Sequence, residues 1–299
     1  MTDIKLFRIA DGTVHELEGS SVSIEKSLQN LIERYLEPLL GILYLASEFQ
    51  TGKSHRGRID TLGIDENGSP VIIEYKRSLN ENVINQGLFY LDWLLDHKAD
   101  FKLLVLEKYG PKIADLLDWS SPRLLCIAGD FTNYDEYAVQ QINRNIELIR
   151  YRMYGNELLL FERINTVGEQ PITESTHTEH RYKTVSDYLE KATPVQRQRY
   201  EKLRTFLLSL GDDTQMQVLK YYIAFKRIKN FACVNLYAQN ENLLVWVKVD
   251  PDSVSLEPGF MRDVRKIGHY GTGDLEITIR NDEDLERAKP LLIKSYEAS

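Results

Sequence analysis

The chain has 299 residues, a formal net charge of -8 and two cysteines. This length allows two modest domains, each with its own core. The acidic balance argues against a protein that coats polyanions, because such binding needs clustered Lys and Arg. Cys126 and Cys233 both lie in apolar stretches, which predicts buried thiols and excludes a disulfide or a zinc site.

The sequence contains no apolar run near the roughly 18 to 20 residues that span a bilayer. Its start, MTDIKLFRIADG, lacks the basic and then apolar order of a signal peptide. We therefore expect a soluble, cytoplasmic protein with no membrane partner.

The first half of the chain predicts alternating helices and strands. Asp11 and Gly12 suit the turn of a β-hairpin, and apolar residues recur at helical spacing across residues 23–40. Further along the chain the patterns predict strands at residues 45–49, 58–65 and 71–75, a helix at 82–96, a strand buried on both faces at 101–107, a strand at 122–131, a helix at 134–143 and a hairpin around Gly155 and Asn156.

A polar, Thr- and Glu-rich stretch then has the composition of a linker. Beyond it the patterns predict a helix that closes on Gly211, three strands and a final helix over residues 282–296. We assign residues 1–165 to the first domain, 166–179 to the linker and 180–299 to a small α+β domain. The predicted fold class is α/β in the first domain.

A group of charged residues lies on two of the predicted strands. Asp60 is in one strand, and Glu74 and Lys76 end the next, where alternation places both side chains on one face. Tyr75 offers its backbone carbonyl on that side, so two carboxylates, a carbonyl and an ammonium converge. Such oxygens are ligands for Mg²⁺, and the lysine can orient or deprotonate water. A structural ion pair is the simpler interpretation for an isolated Glu-x-Lys.

The string GRIDTLGIDENGSPVIIEYKR resembles the core of the PD-(D/E)XK (restriction-endonuclease-like) nuclease superfamily. It is especially similar to the branch that contains the NucS/EndoMS mismatch endonucleases. The resemblance implies a restriction-endonuclease-like mixed sheet flanked by helices. It also implies DNA as partner, Mg²⁺ (or Mn²⁺) as cofactor, Asp60 and Glu74 as metal ligands and Lys76 as the catalytic lysine. Ile59 stands where the superfamily pattern has proline, a position that is commonly degenerate.

Two glutamates of the first predicted helix are candidates for the same site. At about 100° per residue, Glu25 falls on the apolar face of this helix, whereas Glu33 lies at its edge. Related nucleases place a glutamate of the first helix in the metal shell, which implies that role for Glu25 first and for Glu33 in reserve. The alternative for Glu25 is a stabilising charge at the helix amino terminus.

The second helix carries Gln86 and Tyr90, which are four residues apart and share one face. They match the Q-x-x-x-Y element of RecB-like nucleases, where it lies beside the catalytic strand and contacts DNA or orients site groups. Basic residues flank the site and are candidate phosphate contacts, although a solvated charged rim is an equal alternative. These residues are His55, Arg56, Arg58 and Arg77.

Two motifs of the second half have simpler explanations. The glycine-rich residues 268–273 precede a strand, whereas phosphate binding needs a helix amino terminus, so we interpret them as a turn. Residues 220–227 mix aromatic and basic side chains, as single-strand binders do, but such stretches are more often the inner face of a helix with solvated lysines. The whole second half also resembles a small uncharacterised domain of bacterial proteins.

The sequence therefore predicts a metal-dependent deoxyribonuclease, with DNA repair or phage defence as its setting. The alternative is a catalytically silent, nuclease-like module that binds nucleic acid or protein. A third hypothesis is a nucleotide-sensing regulator whose pocket lies in the second domain. The oligomeric state is left open, with a homodimer as one alternative.

Overall fold

The computed structural model of the chain describes residues 4–20, 25–52, 57–76, 83–155, 157–164, 189–237 and 241–299. The strands before residue 165 are β1 (Leu6–Ala10), β2 (Thr13–Leu17), β3 (Gly19–Ser20), β4 (Ile42–Gln50), β5 (Arg58–Asp65), β6 (Pro70–Lys76), β7 (Arg123–Ala128), β8 (Asn145–Tyr154) and β9 (Leu158–Arg163). The helices of this part are α1 (Glu25–Arg34), α2 (Leu36–Leu40), α3 (Val83–Asp96), α4 (Lys98–Tyr109), α5 (Pro111–Ala114) and α6 (Asn133–Gln141).

The amino-terminal part is built on a mixed sheet with the strand order β3-β8-β7-β6-β5-β4, and β9 pairs with β8. The central pairs β6·β7 and β7·β8 are parallel, and the others are antiparallel. Helices cover both faces: Ile72 packs in the core with α3 and α4, whereas Val71 and Ile73 pack with α1 and α2. This confirms the predicted α/β class with a mixed sheet flanked by helices.

The central strands are apolar along their whole length because both faces are covered. All six residues of β7 are buried, as are the first six of β6. The predicted hairpin at the start of the chain is also confirmed. Asp11 and Gly12 both have positive φ, 51° and 74°, which is the backbone that a two-residue type I′ turn requires.

The carboxy-terminal part forms a second, antiparallel sheet with helices packed against it. The elements are α7 (Pro194–Leu208), β10 (Gln215–Val218), β11 (Ile223–Lys226), β12 (Asn230–Tyr237), β13 (Asn242–Val247), a short 3-10 helix (Pro251–Ser253), β14 (Met261–Asp263), β15 (Leu275–Ile279) and α8 (Asp282–Glu297). The sheet has the order β10-β11-β12-β13-β15-β14, and α7 and α8 contribute to the core on one face. The predicted small α+β architecture is confirmed, and both cysteines are free and buried.

The prediction of a strand at residues 101–107 is wrong, because these residues belong to α4. Phe101 and Val105, four residues apart, are buried, whereas Leu103 and Leu106 are 53% and 41% exposed. This is the one-sided burial of a surface helix. A short apolar run fits a buried strand and a helix equally well, so its periodicity could not separate the two.

Helix ends differ from the predictions in two places. The helix expected over residues 23–40 is two helices that break at Tyr35, and α2 ends at Gly41 with φ 65°. Helix α7 ends at Leu208 with Ser209 as its C-cap, two residues before the predicted Gly211. Residues 23 and 24 lie outside the described part of the chain.

The two sheets meet at the turn between β5 and β6. Glu66 of this turn accepts a hydrogen bond from the Asn230 backbone N–H (2.8 Å), and Asn67 accepts one from the Asn230 side chain (2.7 Å). Lys226 of the second sheet reaches Glu147 of the first at 3.4 Å, and both side chains are buried. The predicted linker, residues 166–179, lies outside the described residues, and the domain boundaries stay predictions.

Candidate active site

Strands β5 and β6 place Asp60 and Glu74 side by side. The antiparallel register pairs Thr61 with Ile73, and the next step along both strands brings Asp60 beside Glu74. The Asp60 backbone N–H donates to Glu74 Oε1 (3.2 Å), and the Tyr75 backbone N–H donates to Asp60 Oδ2 (3.0 Å). Each carboxylate is thus held by the backbone of the neighbouring strand.

The two carboxyl groups lie in a poorly solvated place. Burial raises the pKa of Asp60 to about 6, although the Tyr75 N–H and the Lys76 ammonium oppose the shift. Burial and the neighbouring Asp60 charge raise the pKa of Glu74 to about 9. Two carboxylates that share a buried site resist ionising together unless a positive charge joins them. The pair is therefore short of positive charge.

The donor set of this pair fits a divalent cation. Glu74 is fully buried, and its Oε2 atom has no hydrogen-bond partner, so one lone-pair-bearing oxygen is left to a ligand. Among the described residues no three His, Cys, Asp or Glu side chains form a metal-binding group. Two carboxylates with a backbone carbonyl and water nevertheless suit Mg²⁺, which keeps several waters when bound to protein.

The Tyr75 side chain takes no part in this site. Its ring packs in the core on the α1 and α2 face of the sheet, and its hydroxyl lies within hydrogen-bond distance of Thr61 Oγ1, at 3.3 Å. This follows from strand alternation, because Tyr75 must face away from its neighbours in sequence. Only the backbone carbonyl of Tyr75 remains a candidate ligand, as the sequence predicts.

Helix α1 brings Glu25 to the lysine of the site. Glu25 Oε1 lies 3.8 Å from Lys76 Nζ, and the Lys76 side chain is 15% exposed. The reserve candidate Glu33 lies elsewhere along the helix, where it accepts hydrogen bonds from Thr61 Oγ1 (2.6 Å) and Gln29 Nε2 (3.0 Å). Of the two glutamates, Glu25 is the one that contacts the catalytic candidate Lys76.

Gln86 and Tyr90 form the pair that their spacing predicts. Gln86 Nε2 donates to the Tyr90 hydroxyl at 3.1 Å, and the same oxygen accepts the Arg58 backbone N–H at 3.2 Å. The chain before β5 passes so close to the ring that a Cβ on Gly57 would lie 2.3 Å from it. Helix α3 thereby fixes the start of the strand that carries Asp60.

The flanking basic residues give a divided result. The Arg58 side chain is 65% exposed, and its Nε atom pairs with Glu48 Oε2 at 2.5 Å. Arg58 therefore lies beside the site and within reach of solvent. His55, Arg56 and Arg77 lie outside the described residues, so their predicted phosphate contacts stay predictions.

The structure adds Gln29 and Glu48 to the site. Gln29 is 3% exposed and donates to the Asp60 carbonyl at 2.8 Å. Its signal in the sequence is a polar residue on the buried face of α1, between Leu28 and Ile32. Glu48 has φ 53°, pairs with Lys26 at 2.6 Å and raises the pKa of Asp60. No sequence signal separates Glu48 from an ordinary surface glutamate.

Comparison with known proteins gives one relative over the whole chain. An "Uncharacterized protein" of Haemophilus influenzae is 31% identical over 301 residues, which cover 97% of this chain and 98% of the relative. Residues 185–299 match the family described as "Domain of unknown function (DUF5655)". Among the described residues, no helix has both the length and the apolarity to cross a membrane.

Two solved structures are similar to part of the chain. One is the crystal structure of a repair endonuclease from Pyrococcus abyssi, at 19% identity and a TM-score of 0.29, covering 46% of this chain and 51% of that chain. The other is an EndoMS complex with double-stranded DNA, at 20% identity and a TM-score of 0.25, covering 44% and 47%. The match spans about half of each solved chain, and at these scores neither likeness carries an argument about function.

Proposed function

The chain belongs to the same family as the uncharacterized Haemophilus influenzae protein, and we propose that it is a metal-dependent nuclease. One observation carries this proposal: Asp60 and Glu74 lie together in a buried place where both pKa values are raised and one oxygen has no partner. A folded protein keeps such an arrangement at a cost in stability. A bound cation is the ligand that would remove this cost.

Asp60 and Glu74, with the Tyr75 carbonyl, are the groups that would hold Mg²⁺ or Mn²⁺. When bound there, the cation would supply an acidified water and neutralise charge on a phosphoryl group. Lys76 stands two residues after Glu74 in the same strand. Its ammonium would orient the attacking water, or its neutral amine would take a proton from that water. Glu25 acts as a positioning residue, because its carboxylate contacts the Lys76 ammonium.

DNA is the proposed substrate, and it rests on the resemblance of residues 57–77 to the PD-(D/E)XK core. The setting of DNA repair or phage defence is part of the same proposal. The chain has all three residues of the set, Asp60, Glu74 and Lys76. This favours catalysis over a silent binding module, because a module that only binds does not need a lysine beside two metal-binding carboxylates.

Cleavage by purified protein tests the proposal. The full chain is incubated with end-labelled single-stranded DNA, duplex DNA and RNA in Mg²⁺, in Mn²⁺ and in EDTA. We expect metal-dependent cutting of DNA that falls at least about 100-fold in Asp60→Asn, Glu74→Gln and Lys76→Met, the scale of losing one charged catalytic group. Asp100→Asn, an exposed change on α4, is the matched control and retains full cleavage. Equal cutting by Asp60→Asn and Lys76→Met would refute the site.

Cation binding separates the nuclease from the silent module. Calorimetry with Mn²⁺ should show one site in the wild-type chain and none in Asp60→Asn. A chain that binds oligonucleotides but neither binds Mn²⁺ nor cuts any substrate would be the silent module instead.

A further inference from the structure

Two sequence motifs that the proposed function leaves unused meet on one surface of the second sheet. The glycine-rich residues 268–273 fold over this sheet, and the chain just before β11 runs beside them. Together they present four side chains that we call the tyrosine patch: Lys220, Tyr221, His269 and Tyr270. None of these four residues belongs to the site at Asp60 and Glu74.

The glycines of the loop make this surface possible. Gly271 has φ 86°, and a Cβ there would lie 2.7 Å from the Cβ of Cys233. Gly273 has φ 133°, and a Cβ there would lie 2.6 Å from the Val247 backbone nitrogen. Only glycine allows this backbone at this distance from a sheet. The loop is pressed onto the sheet, and Tyr270 is left on its outer side, 50% exposed.

The aromatic rings of the patch are stacked. Tyr221 and Tyr270 have ring centroids 4.3 Å apart and planes within 20° of each other, and His269 stacks over the buried Trp246 at 5.7 Å. Tyr221 is 37% exposed. The Lys220 ammonium lies 5.0 Å from the Tyr221 ring centroid, so the stack carries a positive charge at its side.

Of the remaining residues of the basic and aromatic cluster, Tyr222, Phe225 and Lys226 are buried, whereas Arg227 is half-buried. Tyr222 and Phe225 are buried in the second domain, and the buried Lys226 pairs with Glu147. Residues 220–227 therefore fall into two groups in the structure. Lys220 and Tyr221 face solvent, whereas the following residues build the core and the junction between the sheets.

A stacked, half-exposed pair of tyrosines beside a lysine has the chemistry of a base-stacking platform. Unpaired bases offer flat π faces to the rings, and the phosphates that follow them attract the ammonium. A duplex hides those faces between its base pairs. We propose that the tyrosine patch binds unpaired bases of single-stranded nucleic acid, with Tyr221 and Tyr270 as the stacking residues.

The patch lies far from the proposed cutting site. Asn230 Nδ2 donates to Thr272 in the glycine loop (3.2 Å) and to Asn67 in the turn after β5 (2.7 Å). Asn67 is seven residues from Asp60, which is roughly 20 Å along an extended chain. Binding at the patch is therefore a separate property, and it holds whether or not the Asp60 site cuts DNA.

Fluorescence anisotropy with the full chain tests the patch. The probes are labelled oligo-dT and oligo-rU of about 15 nucleotides, a length that fills a typical single-strand site, and a duplex of the same length. EDTA is present throughout, so that cleavage does not interfere. The variants are Tyr270→Ala, Tyr221→Ala and Tyr270→Phe. The matched control is Tyr134→Ala, which removes a tyrosine that is 87% exposed on α6.

We expect the wild-type chain to bind a single strand more tightly than the duplex. Each alanine variant should weaken that binding at least about 5-fold, the lower end of the effect of losing one stacked base, whereas Tyr270→Phe and Tyr134→Ala should keep it. The dT and rU arms show which nucleic acid is preferred.

Three results would overturn the proposal. They are no binding of either single strand by the wild-type chain, unchanged binding by both alanine variants, and equal loss in Tyr270→Ala and Tyr270→Phe. The first is the result expected if the patch serves a protein partner, and the last would assign recognition to the hydroxyl instead of the ring. Circular dichroism and thermal melting verify that the variants keep the wild-type fold.

Discussion

Two buried glutamates of one sheet, Glu74 and Glu147, have opposite surroundings. Arg123 donates to Glu147 at 2.7 Å and to Asp65 at 3.0 Å, and Lys226 reaches Glu147 from the other sheet. Burial acts to raise the pKa of Glu147, but the charges of Arg123 and Lys226 hold it well below its ordinary value. Among the described residues, no Lys or Arg forms an ion pair with Glu74, and its pKa is raised.

The difference between these glutamates lies in the positive charges beside them. Glu147 also has one oxygen without a hydrogen-bond partner, so an orphaned oxygen alone does not mark a functional site. Glu147 has its counterions built in, as a structural group does. Glu74 has another carboxylate as its neighbour, and an external cation would complete it. Five predictions test this contrast and the site around Glu74, in order of decreasing effect.

Removing Arg123 should have the largest effect on stability. Arg123→Met leaves Asp65 and Glu147 buried with too little positive charge, and we expect the free energy of unfolding to fall by about 3–5 kcal/mol. Urea denaturation measures the loss. Arg34→Met, an exposed change at the end of α1, should stay within about 0.5 kcal/mol of wild type. A loss for Arg123→Met as small as that of the control would contradict the structural role.

The contact between the sheets should show energetic coupling. A double-mutant cycle with Lys226→Met and Glu147→Gln should give an interaction energy of about 1–3 kcal/mol, as found for residues within one buried network. Urea denaturation of the two single variants and the double variant gives this value. Additive losses would mean that Lys226 does not stabilise Glu147 across the junction.

Changing Glu74 should raise the stability of the metal-free protein, whereas the changes at Arg123 and Lys226 lower it. Glu74→Gln removes a carboxyl group that folding has to keep from ionising, and we expect the stability in EDTA at pH 8 to rise by on the order of 1 kcal/mol. The rise in melting temperature that Mg²⁺ or Mn²⁺ gives to wild type should disappear in this variant. A destabilised Glu74→Gln protein that still responds to Mn²⁺ would place the cation elsewhere.

The pair Asp60 and Glu74 should make the stability of the protein depend on pH. Both folded pKa values are raised, Asp60 from 3.8 to about 6 and Glu74 from 4.5 to about 9, so the folded chain binds more protons than the unfolded chain between those limits. The contribution of the pair to stability in EDTA therefore falls as pH rises from about 4 to 9. Glu74→Gln should flatten this fall above pH 6, in melting curves recorded across the range. A wild-type slope retained in the variant would contradict the assignment.

The smallest effect belongs to the tyrosine of α3. Tyr90→Phe removes the oxygen that accepts the Arg58 backbone N–H, and we expect a loss of about 1 kcal/mol in stability. Cleavage should fall about 10-fold, as it does when a group that orients a metal site is removed. Tyr35→Phe, a change at a 47% exposed tyrosine, is the control. Identical behaviour of both variants would leave Tyr90 without a positioning role.

Much of the site could be predicted because strand and helix periods are local. Alternation along a strand relates Glu74 to Lys76, and the four-residue helix spacing relates Gln86 to Tyr90, so both pairs were accessible to sequence. Helix phase placed Glu25 on the apolar face of α1, but its contact with Lys76 at 3.8 Å depends on how α1 packs on the sheet. The α/β class of the first part and the α+β class of the second were accessible for this reason too, whereas the order and direction of the strands were not.

Contacts that depend on distant residues or unusual backbone could not be predicted. Glu48 has a positive φ that no sequence pattern predicts. Lys226 contacts Glu147, which is 79 residues away in sequence. The helix at residues 101–107 was missed because an apolar run of that length fits two structures. The stacking of Tyr221 on Tyr270 needed the packed glycine loop, whose tight contact with the sheet is a tertiary property.

Arg163, the last residue of β9, contacts the second part of the chain. Arg163 donates to the backbone carbonyls of Asp213, which precedes β10, and Arg227, which follows β11, so the first part of the chain is attached to the second where β9 ends. The two parts of the chain that meet at this junction belong to one polypeptide, so their effective concentration is in the millimolar range. An interface under those conditions stays closed with far less buried area than two separate proteins would need.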